Sequence, residues 1–575
     1  MKQILLLMFA CCICLTAAAQ KNAPKWMDKG KKAVVTVTTY GKDNTKLHSG
    51  TGFFIDENGG AFASYAIFKG AVRATVTDTD GKEYAVTSIS GADDLYDVIR
   101  FNVAVPKKVA FLSLAVEPVA VGSEAYLLPY TSGKAVAFTA GKVTEVTKLK
   151  DPYSYYKLAL PFVTGQASAP ILTADGEVFG LAQEDASGNK DNSYAVSAAY
   201  IKSLSINSAD AFNSVYSAVG IKKAWPEQVD QALVSLFLLA SQQDANTYLS
   251  TLNDFVATFP TSADGYINRA SHYAYNRAAM AATPSEQAAL LNRALTDLAT
   301  AAKYTDKKGD ISYNRAKLIY GVAASDTTLT DPAWNIQAAM TAVQQAISEE
   351  DLPIYHQLEG DIYFYLQAYE PAFAAYMQVN NSPMASPVSF YWAAKAKINV
   401  PNTNISDVIA LLDSAVVRCG TPISKEAAPY VLERVDLKLR LMLYKEAIAD
   451  YDLYYDLVNA QVTDGFFYYR EQAKFRLGDL AGALADIQEA IRRSDKNPDY
   501  LAEEASVYLR MQDYPKALAS IEKALVLAPD FASCYRLRGI CYLRQEKKAE
   551  ACTAFTKAKE LGDPVVEKLI KENCK

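Results

Sequence analysis

Histidine is nearly missing: the 575 residues hold three, His48, His272 and His356. Chemistry that needs a histidine base therefore has few places to reside. Metal-ligand spacing is also absent. The five cysteines after the first twenty residues (Cys419, Cys534, Cys541, Cys552 and Cys574) form no Cys-x-x-Cys pair and no cluster with histidine, so neither a zinc site nor a cofactor is expected. No block of lysine or arginine stands out in a chain of net charge -6, which argues against nucleic acid as a partner. After residue 20 no apolar run reaches the eighteen residues of a membrane span.

The start of the chain supplies what the rest lacks. Lys2, the apolar stretch Ile4–Leu15 and the small residues Ala17-Ala18-Ala19 read as a signal peptide over 1–19, with Gln20 opening the mature chain. The alternative is lipidation at Cys11, which follows Ala10. Either reading exports the protein to a compartment that permits disulfides. Five remaining cysteines leave at least one thiol unpaired.

At 575 residues the chain exceeds one hydrophobic core. Residues 31–205 carry short alternating runs such as Ala33–Thr38 and Thr51–Asp56, the second followed by the turn Glu57-Asn58-Gly59-Gly60; this predicts a β-barrel or sandwich. From Pro226 onward alanine, leucine and tyrosine recur at helical spacing. Residues 206–225 read as a linker. Near the C-terminus a 34-residue period appears: Ala483, Ala517 and Ala551; Ala490, Ala524 and Ala558; Ile487, Ile521 and Phe555. Pro529 stops a helix. These residues resemble the tetratricopeptide repeat family over 465–562. The match loosens upstream, where Gly360, Tyr363, Ala372 and Tyr376 fit one repeat, Ala447 and Tyr451 another, and Asn268-Arg269-Ala270 and Trp392-Ala393-Ala394 hint at more. The array is expected to fill 226–575, with an irregular bundle as the alternative for 226–345. Leu561–Lys575 reads as a capping helix.

Within 31–205, three segments resemble HtrA-like, trypsin-fold serine proteases. The family's histidine motif corresponds to Gly52-Phe53-Phe54-Ile55-Asp56 through Ala66-Ile67-Phe68-Lys69-Gly70-Ala71, and Ala66 stands where the histidine belongs. Asp97, in Asp94–Arg100, fits the orienting aspartate. Gly165-Gln166-Ala167-Ser168-Ala169-Pro170 fits the nucleophile loop with Ala167 at the serine position, and Tyr194-Ala195-Val196 resembles the last strand. Such enzymes need serine, histidine and aspartate together, so the resemblance implies a degenerate, non-catalytic domain. Backbone amides of Gly165 and Ala167 are what remains of an oxyanion loop, and Ser168 has no histidine to activate it. The family's usual PDZ domain is replaced by helical repeats.

The expected fold is thus multidomain: an all-β trypsin-like double barrel, then an all-α tetratricopeptide-repeat superhelix. Arg476, Arg510 and Arg544 recur at the repeat period on first helices, with Arg440 upstream and Tyr468, Gln472, Ser506 and Arg536 nearby. They read either as a groove that holds a peptide carboxylate or acidic segment or as a solvated helix face. Cys552 and Cys574 are candidates for a disulfide that pins the cap; the alternative is a buried Cys552 and a free Cys574. The expected function is a non-catalytic interaction scaffold of the bacterial cell envelope, binding a protein or peptide partner. The alternatives are a serine endopeptidase with unusual machinery and a chaperone-like holder of exported proteins.

Overall fold

The computed structural model describes residues 23–133, 137–163, 165–208 and 213–574. The signal-peptide reading over 1–19 and the lipidation alternative at Cys11 lie outside the described residues. The chain divides into two compact units, Met1–Tyr304 and Thr305–Lys575.

The first unit begins with two closed six-stranded antiparallel barrels. The first barrel comprises β1 (Val34–Tyr40), β2 (Lys46–Phe54), β3 (Gly60–Ala63), β4 (Arg73–Thr77), β5 (Glu83–Asp93) and β6 (Val98–Val103) in the order β1-β2-β3-β6-β5-β4. The second comprises β7 (Glu124–Leu127), β8 (Thr139–Lys150), β9 (Tyr153–Ala159), β10 (Pro170–Leu172), β11 (Val178–Glu184) and β12 (Ser193–Ser197), ordered β10-β11-β12-β9-β8-β7. Alternation explains the closure. In β1, Val35 and Val37 point into the barrel, and residues between them are half-buried. Val34, Phe53, Phe62 and Val98 of the first barrel meet Leu172, Val178, Leu181 and Val196 of the second in one cluster, which joins the barrels face to face.

The described parts of 206–225, read from sequence as a linker, belong to the first barrel's core. Ile206, Tyr216, Val219 and Ile221 are buried among its strand residues. The Tyr65 hydroxyl donates to Val215 O at 2.8 Å, and Ala92 N donates to the Tyr216 hydroxyl at 3.0 Å. A stretch with polar composition (Asn207, Ser208, Asn213, Ser214, Ser217) hides these widely spaced apolar anchors. Helices follow within the same unit, from Val229–Ala240 and Ala245–Thr258 to Pro284–Ala301.

The second unit is a run of helical hairpins closed by helix Val566–Asn573. First helices start at Asp464, Pro498 and Ala532, 34 residues apart. Buried Ala483, Ala517 and Ala551 keep the helices of each hairpin close. On the facing helix the small residue has a steric reason. A Cβ at Gly539 would stand 2.4 Å from the Phe555 ring, and one at Gly360 would stand 2.6 Å from the Tyr376 ring. Cys552 and Cys574 form a disulfide, while Cys419, Cys534 and Cys541 are buried free thiols.

Candidate functional site

Strand pairing builds the site in the first barrel. β3 and β6 are in register with Ala63 opposite Ile99, so the residues just beyond β3 meet those just before β6. Asp97 therefore lies beside Ser64 and Ala66. Its carboxylate accepts two bonds: Ser64 Oγ donates to Oδ2 at 2.6 Å, and Ala66 N donates to Oδ1 at 2.7 Å. Asp97 adopts a left-handed backbone with φ 51°. The Ala66 methyl is exposed.

The second barrel brings the loop before β10 to the same place. Gly165 has φ 95° and Ser168 φ 72°. A serine at such an angle carries strain that glycine would not. Its neighbours hold it there. Ser168 N donates to Ala182 O at 2.8 Å, and Ala182 N returns a bond to Ala169 O at 2.9 Å. The hydroxyl is fully buried and accepts from Ser64 N at 2.6 Å, across the two barrels. Ala167, next to it, is exposed. Ser64, Asp97 and Ser168 thus form one hydrogen-bonded chain through the inter-barrel seam, with the methyl groups of Ala66 and Ala167 at the surface. Among the described residues no base stands beside either serine other than Asp97, and Ser64 is itself only 5% exposed.

The histidines are elsewhere. His48 is exposed on β2. His272 is buried against Tyr248, its ring bonded to Ala245 O at 2.8 Å and Asn276 at 3.1 Å. His356 lies between Asp351, at 2.7 Å, and Glu359, at 3.2 Å.

A second polar cluster ties the barrels together. Tyr200 donates a hydrogen bond to Asp93, and Lys150 Nζ reaches Asp93 Oδ2 at 3.2 Å and the Tyr200 hydroxyl at 3.0 Å. Burial and the Asp93 carboxylate push the Tyr200 phenol up to about 12. The hydrogen bond to Tyr200 raises the Lys150 ammonium as well. Both groups stay protonated at neutral pH, so the cluster is a lock and not an activated base.

In the second unit the arginines of the repeat period end their helices, where a cation suits the helix dipole. Arg510 stacks on the Phe475 ring at 4.7 Å and donates to the Phe475 carbonyl. Arg476 lines a cavity of about 160 Å³ with Leu439, Tyr451 and Tyr469. Arg440 pairs with Asp436 at 2.7 Å, and Arg544 is exposed at the end of Ala532–Arg544. Tyr468 packs on Tyr500 at 5.1 Å. Arg510 is therefore engaged with the preceding repeat, while Arg476 and Arg544 face outward. Of their neighbours, Arg536 is held by Asp563 at 2.8 Å.

The sequence reading missed a buried ion-pair ladder. Arg434 bonds Asp450 and, at 2.6 Å, Asp413; Lys438 reaches Asp450 at 2.7 Å. Thirty-six residues on, Arg470 bonds Asp486 at 2.6 Å and Asp452 at 2.8 Å, and Lys474 reaches Asp486 at 2.8 Å. The next repeat replaces the pair with Glu504 and Ser520, bonded at 2.7 Å. The signal was the repeated Arg-x-x-x-Lys with Asp sixteen residues after the arginine, which a search for apolar periodicity passes over.

Residues 50–181 match the trypsin-like peptidase domain. Residues 472–529 and 502–564 match the tetratricopeptide repeat. Two solved structures are similar in part. The Rv3671c protease from M. tuberculosis, in its active form, is 20% identical with a TM-score of 0.28, covering 32% of this chain and 82% of the other. An inactive serine-to-alanine mutant of the same protease is 19% identical with a TM-score of 0.27, covering 32% and 88%. No curated protein matches the chain. The chain carries a trypsin-like, protease-like module and a tetratricopeptide-repeat region of the kind that binds proteins.

Proposed function

We propose that this protein is a non-catalytic interaction scaffold, exported to the bacterial cell envelope, in which the trypsin-like module has lost hydrolysis and the repeats hold a protein or peptide partner. The observation that carries the reading is the occupancy of Asp97. Its carboxylate accepts from Ser64 Oγ and Ala66 N, and the three histidines, His48, His272 and His356, all lie elsewhere, so none is there for it to orient. Alanine at 66 and 167 puts a methyl group where base and nucleophile belong. The nearest serine hydroxyl, that of Ser168, is buried and already accepts a bond from Ser64 N. A serine without a base and without solvent access is not a nucleophile. On the repeats, the outward guanidinium groups of Arg476 and Arg544 suit a partner segment carrying carboxylates.

The test is a fluorophosphonate probe on the full-length protein, followed by mass analysis of every serine. No modified serine is the expected result. Modification of Ser168 or Ser64 would overturn the scaffold reading in favour of an unconventional hydrolase. Envelope fractionation tests the export.

A further inference from the structure

Residues 219–226 form a strap along the first barrel. Ile89 N donates to Lys222 O at 2.8 Å, Ala224 N donates back to Ile89 O at 2.7 Å, and Gly220 N donates to Ala71 O at 2.6 Å. Between this strap and the helices Val229–Ala240 and Ala245–Thr258, all within the first compact unit, lies a cavity of about 530 Å³. That volume falls in the range of small-molecule sites, roughly 300–1,000 Å³. Ile206, Ile221, Trp225, Pro226 and Leu239 line it beside the polar Ser235, Gln243, Ser250 and Thr251, of which Ser235 and Thr251 donate their hydroxyls to carbonyls of the preceding helical turn.

Its charges do not balance. Three ionisable groups line it: Lys222, Lys223 and Asp254. Asp254 is balanced by Lys222, which forms an ion pair with it, and Trp225 Nε1 donates to it at 2.6 Å. Lys223 has no carboxylate among the described residues. Its ammonium donates to the carbonyls of Val219 and, at 2.8 Å, Ile221, which leaves one N–H and a full positive charge uncompensated. Burial lowers its pKa, which is the cost of holding that charge away from water without an anion.

We propose that this cavity is a binding site for an amphipathic organic anion, a carboxylate with an apolar chain, whose carboxylate pairs with Lys223 and whose chain lies against Ile221, Trp225 and Leu239. Neither barrel nor repeats need such a ligand for the scaffold reading, so the site stands apart from it. Trp225, Pro226 and Leu239, with the Ser235 and Thr251 hydroxyls already spent on helix carbonyls, favour a chain over a sugar or nucleotide, and the single uncompensated cation favours a monoanion over a phosphate ester.

The experiment is calorimetric titration of the full-length protein with decanoate, below its micelle concentration, beside the neutral decanol. Decanoate is expected to bind one to one, and decanol at least about tenfold more weakly, the ratio set by a charge-assisted hydrogen bond. Lys223→Met should weaken decanoate by a similar factor and bring the two ligands level. Lys223 also bonds two carbonyls, so a second variant keeps it: Leu239→Trp fills the cavity and should abolish binding while circular dichroism stays unchanged. Equal binding of decanol and decanoate to the wild-type chain, decanoate binding unchanged by both variants, or no binding at all would overturn the assignment.

Discussion

Ser168 keeps a backbone angle that serine disfavours, and it does so because its hydroxyl satisfies the buried amide of Ser64. Ser168→Ala removes the acceptor and leaves that amide unpaired, a loss of about 1–3 kcal/mol. Ser168→Gly removes the same acceptor but relieves the left-handed strain, so it should cost less than the alanine variant. Denaturation midpoints rank the two, and faster amide exchange at Ser64 in both would tie the loss to this bond. Glu471 is the opposite kind of residue, buried at 0% exposure with neither carboxylate oxygen hydrogen-bonded within the described residues. It occupies the repeat position that holds Ala505 and Gly539 in the next two hairpins. Burial, with Glu503 and Asp486 adding their charge, raises it to about 8. Arg470 and Lys474 are engaged by Asp486, so they do not rescue it. The folded chain binds this proton more tightly than the unfolded chain does. Its contribution to stability is therefore fully present below about pH 4.5 and is lost as pH rises towards 8. Stability followed from pH 5 to 9 should fall in the wild type and flatten in Glu471→Gln. Equal slopes would show that the carboxyl stays ionised.

Helical hairpins turn at Gly478, Gln512 and Glu546, one repeat period apart, with φ 93°, 63° and 65°. Only the first is glycine. A non-glycine residue pays about 1–2 kcal/mol for this region, and glycine gives back about 0.5–1 kcal/mol in unfolded-chain entropy. Gln512→Gly should thus stabilise the hairpin by up to about 1 kcal/mol, and Gly478→Gln should destabilise its own by a similar amount. Urea midpoints of the two variants check both signs. The closing helix Val566–Asn573 is held differently. It buries Val566, packs Leu569 and Ile570 on the last hairpin, and is tethered by Cys552–Cys574 with a sequence separation of 22. Closing a loop of that length removes roughly 3 kcal/mol of unfolded-chain entropy. Cys574→Ser should leave the hairpins in place and let the helix fray. Hydrogen exchange that accelerates over 566–573, in the variant and in the reduced wild type alike, is the expected readout.

At the scale of the molecule, legibility followed periodicity. Strand alternation in 31–205 announced a barrel or sandwich, the resemblance to trypsin-fold proteases made it two barrels, and the 34-residue spacing of Ala483, Ala517 and Ala551 announced stacked hairpins, because each apolar side chain there has a geometric partner at a fixed interval. Asp97 was legible through that resemblance, which places an aspartate before a short aliphatic strand. The bond between Ser64 and Ser168 was not, since it spans 104 residues and joins two barrels that no local pattern relates. The ion-pair ladder stayed hidden because charged residues are read as surface. The segment 206–225 was hidden by its polar composition, and its role in the fold has a direct consequence. Ile206, Tyr216, Val219 and Ile221 are each no more than 5% exposed, and they cover the core side of the first barrel. Burying a side chain of this kind is worth about 1.5–3 kcal/mol, so their sum rivals the whole stability of a domain, about 5–15 kcal/mol. A fragment ending at 205 leaves that surface open and should fail to unfold cooperatively in near-ultraviolet circular dichroism. A fragment ending at 225 carries its own cover and should show a sharp transition. Matching transitions in both fragments would mean that the strands close the barrel alone and that the segment only rests on it.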